Sequence, residues 1–446
     1  MATVADPVLA RHAATQLVST LVGKGFTAYF AGGCVRDELL GLAPTDFDVA
    51  TDARPEQVTS LFSRARLVGE KFGVVIVPIK LDHASPVVHI EVATFRSDGT
   101  YSDSRRPDSI VFSTPQDDAA RRDFTINAIF LDPLAKAKGT PEIIDFTGGL
   151  ADLKARVIRA VGNPHARLAE DHLRALRAVR FAARFGFASE DATADATRQH
   201  AAELKGISTE RIGEEIRRMF MRDGAARAAA ALLLVKLGLD LPVLGESAGQ
   251  WAAATQAATR GTTTRLGAAD FGGTYALVSA CDIPAPGSIS LGSMLAAWTL
   301  DRHPELLDRP NEQTESIARY RRALNLSNDD RDELAGVLGL AARLNTQWTG
   351  ATIAQQKRLA SSRWIVQGVA LLRAGQQNAG LAERIVANIG ALSRHGPGIN
   401  PPLILGGDQL TARGWKPGPT FKRVLDAVRD AQLEGAVTTL DQALTL

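Results

Sequence analysis

Cysteine and aromatic residues are scarce in this sequence of 446 residues. The only cysteines are Cys34 and Cys281, which excludes a disulfide framework and a zinc site made of four cysteines. Such low cysteine usage is typical of a reducing compartment. The first eleven residues also contain no apolar signal-peptide core. The sequence therefore predicts a cytoplasmic protein.

An excess of charge of one sign is also missing, as is any long apolar run. The chain has 51 Lys and Arg against 49 Asp and Glu, a formal net charge of +2. A protein that coats nucleic acid without sequence preference normally carries a large positive excess, so that class is excluded, whereas a local basic patch is not. Lys236 and Asp240 interrupt the most apolar segment, residues 228–245, which predicts no membrane span.

The chain changes in character near residue 150. Its length predicts two to four domains, at about 100–200 residues per domain. The first 150 residues alternate β-branched runs with helical patterns and predict a small mixed sheet, whereas later apolar residues recur every three or four positions and predict an all-helical extension. The fold class expected is thus α+β. The expected strands are Thr27–Ala31, Phe47–Ala50, Val74–Ile79, Val87–Phe95 and Ile110–Phe112.

A pair of glycines, Gly32 and Gly33, follows the first expected strand, and Arg36 and Asp37 come next. Paired glycines let a backbone approach an anion closely, and an arginine adds a charged fork. The segment therefore has the outline of a triphosphate cradle. A simple tight turn is the alternative when the segment is considered alone.

Two aspartates, Asp46 and Asp48, alternate with Phe47 and Val49. On a strand the two carboxylates would share one face, where they repel each other unless a hard cation such as Mg²⁺ lies between them. Glu91 lies on another expected strand, on the face opposite Val88, Ile90 and Val92. It is a candidate third carboxylate and a base for an attacking hydroxyl, with a surface glutamate as the alternative.

Two further segments combine arginine with carboxylate. In the first, Arg122 could donate to phosphate or ribose oxygens and Asp123 could accept from a ribose 2′-hydroxyl, although Asp123 could equally pair with an arginine and cap a helix that begins near Phe124. In the second, Asp171, Arg174, Arg177 and Arg180 recur every three residues along an expected helix, a pattern that is also typical of a solvated face. A carboxylate that accepts from an exocyclic amine beside a guanidinium donor would select cytosine and adenine.

These five motifs, in this order from Ala28 to Phe220, resemble the class II tRNA nucleotidyltransferases, which are the CCA-adding enzymes, and the related bacterial poly(A) polymerases. The segments Arg96–Pro107 and Ser208–Ile216 are similar to the flexible loop and the neck helix of that family. The resemblance implies a head related to DNA polymerase beta (1–150), then a helical neck that recognises the base (151–225), a body (226–350) and a tRNA-binding tail (351–446).

The resemblance also implies a role for each candidate residue. Asp46 and Asp48 would ligate Mg²⁺, with Glu91 as a second-rank catalytic residue. Gly32, Gly33, Arg36 and Arg122 would contact the nucleotide, and Asp123 and Asn127 would organise the ribose side. Asp171 and Arg174 would pair with the base, and Arg177 and Arg180 would support that helix and contact phosphates.

The expected reaction is template-independent addition of C and A to the 3′ end of tRNA, with CTP and ATP as substrates and pyrophosphate as the leaving group. The complete Arg96–Pro107 loop argues against a CC-only enzyme. An A-adding enzyme and a poly(A) polymerase stay open, and a catalytically silent RNA-binding protein is a rival from another class. No protein partner is predicted.

Overall fold

The computed structural model describes residues 6–44, 46–68, 73–99, 110–135, 142–246, 290–375 and 378–446. Most of the predicted Arg96–Pro107 loop lies outside these residues. The described chain forms two compact units. The first contains the residues up to 208 together with 233–242, and the second contains 209–232 and the remainder from 243 to 446. The boundaries proposed for head, neck, body and tail remain predictions.

Short strands dominate the first unit. In the described part of the chain they are β1 (Ala28–Ala31), β2 (Asp48–Thr51), β3 (Arg66–Val68), β4 (Val74–Ile79), β5 (Val88–Thr94), β6 (Arg96–Asp98), β7 (Ile110–Phe112), β8 (Ile129–Leu131), β9 (Ile143–Asp145), β10 (Val157–Ile158) and β11 (Ala188–Ser189). Seven of them form one sheet in the order β3-β4-β5-β2-β1-β8-β9. β2 and β5 are parallel, and the other neighbouring pairs are antiparallel.

The α+β fold class and the five expected strands are confirmed, the strands to within one residue at either end. The expectation that everything beyond residue 150 is helical is wrong, because β10 and β11 pair in parallel there. Each has only two residues, too few to produce a detectable alternation. β3, β6, β8 and β9, of three residues each, were also missed, whereas β7 has the same length and was expected.

The first unit also contains eight described helices outside the segment 233–242. The first precedes β1 in the chain, and the others lie between strands or follow them. They are α1 (Pro7–Gly23), α2 (Gly33–Leu39), α3 (Pro55–Leu61), α4 (Pro115–Ala120), α5 (Gly149–Ala155), α6 (Pro164–Glu170), α7 (Leu173–Phe185) and α8 (Asp191–Gln199).

Helical periodicity of apolar residues explains why these helices form, and α1 is an example. In α1 the residues Ala10, Ala14, Leu17 and Leu21 recur every three or four positions and are fully buried. The helix begins where the Asp6 side chain accepts from the Val8 main-chain N–H at 2.8 Å. A buried face of this kind holds α1 against β1 and β5.

The second unit is helical throughout its described residues. It contains α9 (Thr209–Phe220), most of α10 (Gly224–Lys236), the end of α11 (Asp240–Leu244), α12 (Leu291–Arg302), α13 (Gln313–Ala323), α14 (Asn328–Gln347), α15 (Ile353–Ala360), α16 (Ile365–Ala374), α17 (Ala379–Leu392), α18 (Gly407–Thr411), α19 (Pro419–Glu434) and α20 (Leu440–Thr445). None of the described helices is both long and apolar enough to cross a bilayer.

One close approach between elements of this unit requires a glycine in α9. A Cβ added at Gly213 would lie 2.1 Å from the carbonyl oxygen of Leu324, which is backbone and cannot rotate away. We expect Gly213→Ala to lower the free energy of unfolding by about 1–3 kcal/mol or more, through overpacking. Urea unfolding followed by circular dichroism measures the change.

Gly339 in α14 provides the matched control. No atom lies within 4 Å of a Cβ built there, so Gly339→Ala should instead raise the free energy of unfolding by up to about 1 kcal/mol. Equal stability losses in the two variants would contradict the close approach at Gly213.

Candidate active site

Three carboxylates lie close together at strands β2 and β5. Asp48 begins β2 and is paired in register with Glu91 on the parallel strand β5. Partners in register on adjacent strands direct their side chains to the same face. Asp46 precedes β2 and is exposed like Asp48, while Phe47 between them is buried. The expected alternation and the proximity of Glu91 to the aspartates are therefore present.

The electrostatics of Asp48 reflect this crowding. Desolvation by surrounding protein atoms, together with the Glu91 and Asp46 carboxylates, raises the pKa of Asp48 to about 6, against the opposing effect of the Arg122 guanidinium. Like charges held together without a counter-ion destabilise the folded protein. A set of carboxylate oxygens of this kind fits a hard divalent cation, whose charge would relieve the repulsion.

This crowding of carboxylates predicts that removing the negative charge of Asp48 raises the free energy of unfolding. Because the folded pKa of Asp48 lies above the value of about 3.9 for an unfolded aspartate, wild-type stability falls as pH rises from 4 to 6. We expect Asp48→Asn to be as stable as wild type at pH 4 and more stable above pH 6. After allowance for solvent screening, the gain is about 1 kcal/mol.

Urea unfolding at pH 4 and pH 7.5, without divalent cations, tests this expectation. Glu56→Gln is the control, because Glu56 is an exposed carboxylate in the first turn of α3. A stability difference between Asp48→Asn and wild type that is the same at both pH values would contradict the raised pKa.

The turn between β1 and α2 approaches the same carboxylates. Gly32 has a φ of +75°, and a Cβ placed there would lie 3.0 Å from Nη1 of Arg122 and 4.0 Å from Oδ2 of Asp48. The Arg122 guanidinium donates to the buried Asp118 carboxylate at 2.9 Å and to the Asn127 main-chain oxygen at 3.1 Å. Glycine is therefore needed at this turn both for the backbone angle and for the arginine.

A second group of side chains is organised by Asp123. This buried carboxylate accepts from Arg177 at 2.6 Å, from Asn127 at 3.0 Å and from the Phe124 main-chain N–H at 2.8 Å. Burial raises its pKa, but Arg177 and these hydrogen bonds outweigh burial and hold the pKa well below its usual range. The helix expected from Phe124 is only a 3₁₀ turn over Thr125–Asn127.

Arg36 belongs to the same group and is buried. Its guanidinium donates to Asn127 at 2.5 Å and to Asp37 at 2.6 Å, and it lies over the rings of Phe181 and Phe185. Gly33 begins α2 just before it. Arg36 thus lies beneath the turn, although the sequence suggested a fork directed at an anion.

The residues expected to read the base lie at the junction of α6 and α7. Asp171 has an extended conformation and precedes α7, so it does not continue the stripe formed by Arg174, Arg177 and Arg180, as the three-residue spacing had suggested. Its Oδ1 accepts from the Leu173 main-chain N–H at 3.1 Å.

Arg174 is held in place by its neighbours along the chain. Its Nη1 donates to the Glu170 carboxylate at 2.5 Å and to the Arg167 carbonyl at 2.7 Å. Arg180, one turn and a half further along α7, lies over the Phe181 ring at 4.3 Å. The Arg174 main-chain N–H also donates to the Asp171 carbonyl at 3.0 Å, so the two residues adjoin at the start of α7.

Sequence reasoning missed the partners that hold the arginines. Asp118 pairs with Arg122, Glu170 with Arg174, and Arg184 with Asp37. The first two pairs are four residues apart, a spacing that is itself a signal for a helix ion pair. The third joins residues 37 and 184, and no local pattern predicts it.

Comparison with known proteins agrees with the fold and the site. A family model described as "Poly A polymerase head domain" matches residues 28–159, and one described as "Probable RNA and SrmB- binding site of polymerase A" matches residues 186–244. The sheet, the carboxylates and the glycine turn all lie in the first match. The fold and site thus define the class of nucleotidyltransferases that have a poly(A) polymerase head.

Within that class, the chain belongs to the family of CCA-adding enzymes. The CCA-adding enzyme of Lactiplantibacillus plantarum is 31% identical over 437 residues, which cover 97% of this chain and 94% of the relative. The one from Limosilactobacillus fermentum is 42% identical over 234 residues, 52% of this chain. That alignment spans about half of the relative, 56% of its length. Enzymes of this family generally use a divalent metal ion.

Solved structures of CCA-adding enzymes have the same fold as this chain. The Bacillus stearothermophilus CCA-adding enzyme in complex with CTP has a TM-score of 0.67 and 27% identity, and covers 98% of this chain and 95% of the other. The Thermotoga maritima CCA-adding enzyme complexed with tRNA has a TM-score of 0.65, covers 99% and 96% and is 20% identical, so it supports the fold alone.

Proposed function

We propose that the chain adds C and A to the 3′ end of tRNA without a template. The tRNA 3′-hydroxyl attacks the α-phosphorus of CTP or ATP, and pyrophosphate leaves. One observation carries this proposal, namely the carboxylate pair Asp48 and Glu91 in register on parallel strands, with Asp46 beside them. The names of the curated relatives, together with the 27% identical Bacillus stearothermophilus enzyme solved with CTP, support the same reaction.

Asp46 and Asp48 would hold the metal ion, which we propose to be Mg²⁺. When bound, Mg²⁺ stabilises the charge that develops on the phosphates and lowers the pKa of the attacking hydroxyl. Glu91 shares the face of Asp48 and is placed to accept the proton of the 3′-hydroxyl. The protein supplies no covalent nucleophile in this account, so positioning and electrostatics provide the rate enhancement.

The triphosphate would lie against the turn at Gly32 and Gly33, where glycine lets Arg122 approach the backbone and supply positive charge. Arg36 would position this turn from beneath through Asn127 and Asp37. This role replaces the direct triphosphate contact expected from the sequence.

The ribose side would be organised by Asp123 and Asn127. Asp123 pairs with Arg177, which ties the 3₁₀ turn to α7. Arg180 remains a proposed phosphate contact on that helix. The four residues thus keep the sugar and the base at a fixed relative position.

Base selection would depend on Asp171 and Arg174. Cytosine and adenine both present an amino group beside a ring nitrogen acceptor, whereas uracil and guanine present a carbonyl where the carboxylate would lie. A carboxylate acceptor beside a guanidinium donor therefore accepts C and A and rejects U and G. The contacts of Arg174 with Glu170 and Arg167 support this role, because they fix the donor before a nucleotide arrives.

Two other activities are the alternatives. One is addition of A alone to tRNA, and the other is poly(A) synthesis. Supplying the purified chain with labelled CTP, ATP, UTP or GTP, each on tRNA and on an unrelated RNA, tests them. Incorporation of C and A on tRNA alone supports the proposal, and long A tracts on the unrelated RNA would favour a poly(A) polymerase. A tRNA substrate and the low cysteine count also favour a location in the cytoplasm.

A further inference from the structure

Three side chains outside the nucleotide site converge on one another. His172 caps the start of α7, His200 follows α8, and Glu203 lies in the 3₁₀ turn Ala201–Gly206. One carboxylate oxygen of Glu203 lies 3.0 Å from Nδ1 of His172 and 2.5 Å from Nδ1 of His200. The ligand atoms of the three residues all lie within 4.8 Å of one another.

Hydrogen bonding alone leaves this cluster poorly satisfied. Both imidazoles direct Nδ1 at the same oxygen, and the buried Nδ1 of His172 lacks an aligned hydrogen bond. Buried ring nitrogens normally have such a partner. Two imidazoles and a carboxylate whose ligand atoms lie this close together are also the donor set of a tetrahedral transition-metal site with one position left over.

The spacing is compatible with such a site. Ligand bonds of about 2.1 Å in a tetrahedron separate neighbouring ligand atoms by about 3.4 Å, which is longer than both N–O distances here and within the 4.8 Å that encloses the three ligand atoms. The Glu203 side chain is half exposed, so its carboxylate has room to move outward. His165 is exposed on α6, with its ring centroid 5.6 Å from that of His200, and it or a water molecule would fill the fourth position.

We propose that His172, His200 and Glu203 form a binding site for a borderline divalent transition-metal ion such as Zn²⁺. The site is separate from the Asp46 and Asp48 carboxylates, which suit a hard ion. His172 directly follows Asp171, so a bound ion ties the backbone beside the base-reading pair to the turn that carries Glu203. The proposal does not depend on the polymerisation activity.

Metal titration of the full-length untagged chain tests the site. The protein is first stripped with a chelator and then titrated with ZnCl₂ by calorimetry, in an excess of Mg²⁺ that occupies the carboxylate site. We expect one Zn²⁺ per chain with a dissociation constant in the micromolar range or below. Co²⁺ in place of Zn²⁺ should give the visible absorption of a four-coordinate ion with nitrogen ligands.

Variants identify the ligands. His200→Ala and Glu203→Gln should each weaken Zn²⁺ binding by more than about a hundredfold, since loss of a direct ligand exceeds the effect of an outer partner. Glu203→Gln preserves side-chain size, so it keeps the test valid if His200→Ala fails to fold. His12→Ala, at an exposed position of α1, is the control and should bind as wild type does. If wild type bound Zn²⁺ no more tightly than Glu203→Gln does, the proposal would be overturned. The cluster would then be only a carboxylate that two imidazoles share.

Discussion

Asp48→Asn should reduce nucleotide incorporation by at least about a thousand-fold, because it removes charge that the transition state needs and only positioning remains. Asp48 lies at the centre of the carboxylate group, between Asp46 along the chain and Glu91 across the sheet. The loss should appear in kcat with both CTP and ATP, measured as transfer of labelled nucleotide to tRNA. Asp46→Ala should give the same result.

Two further measurements distinguish a chemical defect from a structural one. The variants should bind tRNA nearly as well as wild type, and Asp48→Asn should be more stable than wild type at neutral pH. Glu56→Gln, which changes an exposed carboxylate of the same unit, should retain full activity. Near-normal incorporation by Asp48→Asn would refute the assignment of the metal-binding carboxylates.

Arg174→Ala should relax the choice of nucleotide. The variant loses the guanidinium that would donate to the ring acceptor of cytosine or adenine, a bidentate type of contact worth about 1–3 kcal/mol of discrimination. We therefore expect the preference for CTP over UTP, expressed as a ratio of kcat/KM, to fall by about 5- to 150-fold. Steady-state kinetics with each of the four nucleoside triphosphates measures that ratio.

Two other variants show whether the effect comes from the donor itself. Glu170→Gln keeps Arg174 but weakens the pair that orients it, so it should lower discrimination by less. Arg198→Ala removes an arginine that pairs with Asp195 at the surface of the same unit, and should leave discrimination unchanged. Unaltered selectivity in Arg174→Ala would show that base pairing depends on other residues.

The sequence predicted the parts of the fold that have a strong local pattern. β4 and β5 are long enough to show alternation, and both were expected with nearly correct ends. β8 is three buried residues within a motif rich in charge, and nothing local distinguishes it from a turn. The break in the helix at Asp171 was also missed, because neither Gly nor Pro marks it.

The sequence predicted which residues belong to the candidate site, but not which of them contact one another. Alternation places Asp48 and Glu91 on exposed faces, but only the register between β2 and β5 makes them neighbours. The pairing of Asp123 with Arg177 joins residues 54 apart in sequence. The burial of Arg36 against Phe181 and Phe185 depends on tertiary packing, which no local pattern predicts.

The central claim is that this chain builds the CCA end of tRNA, and three tRNA substrates test it most directly. One ends at the discriminator base, one at the first C and one at the second C, and each is incubated with labelled CTP or ATP supplied separately. We predict C incorporation on the first two substrates and a single A on the third. Addition of A alone, confined to the third substrate, would indicate an A-adding enzyme, and no incorporation on any substrate would contradict the account.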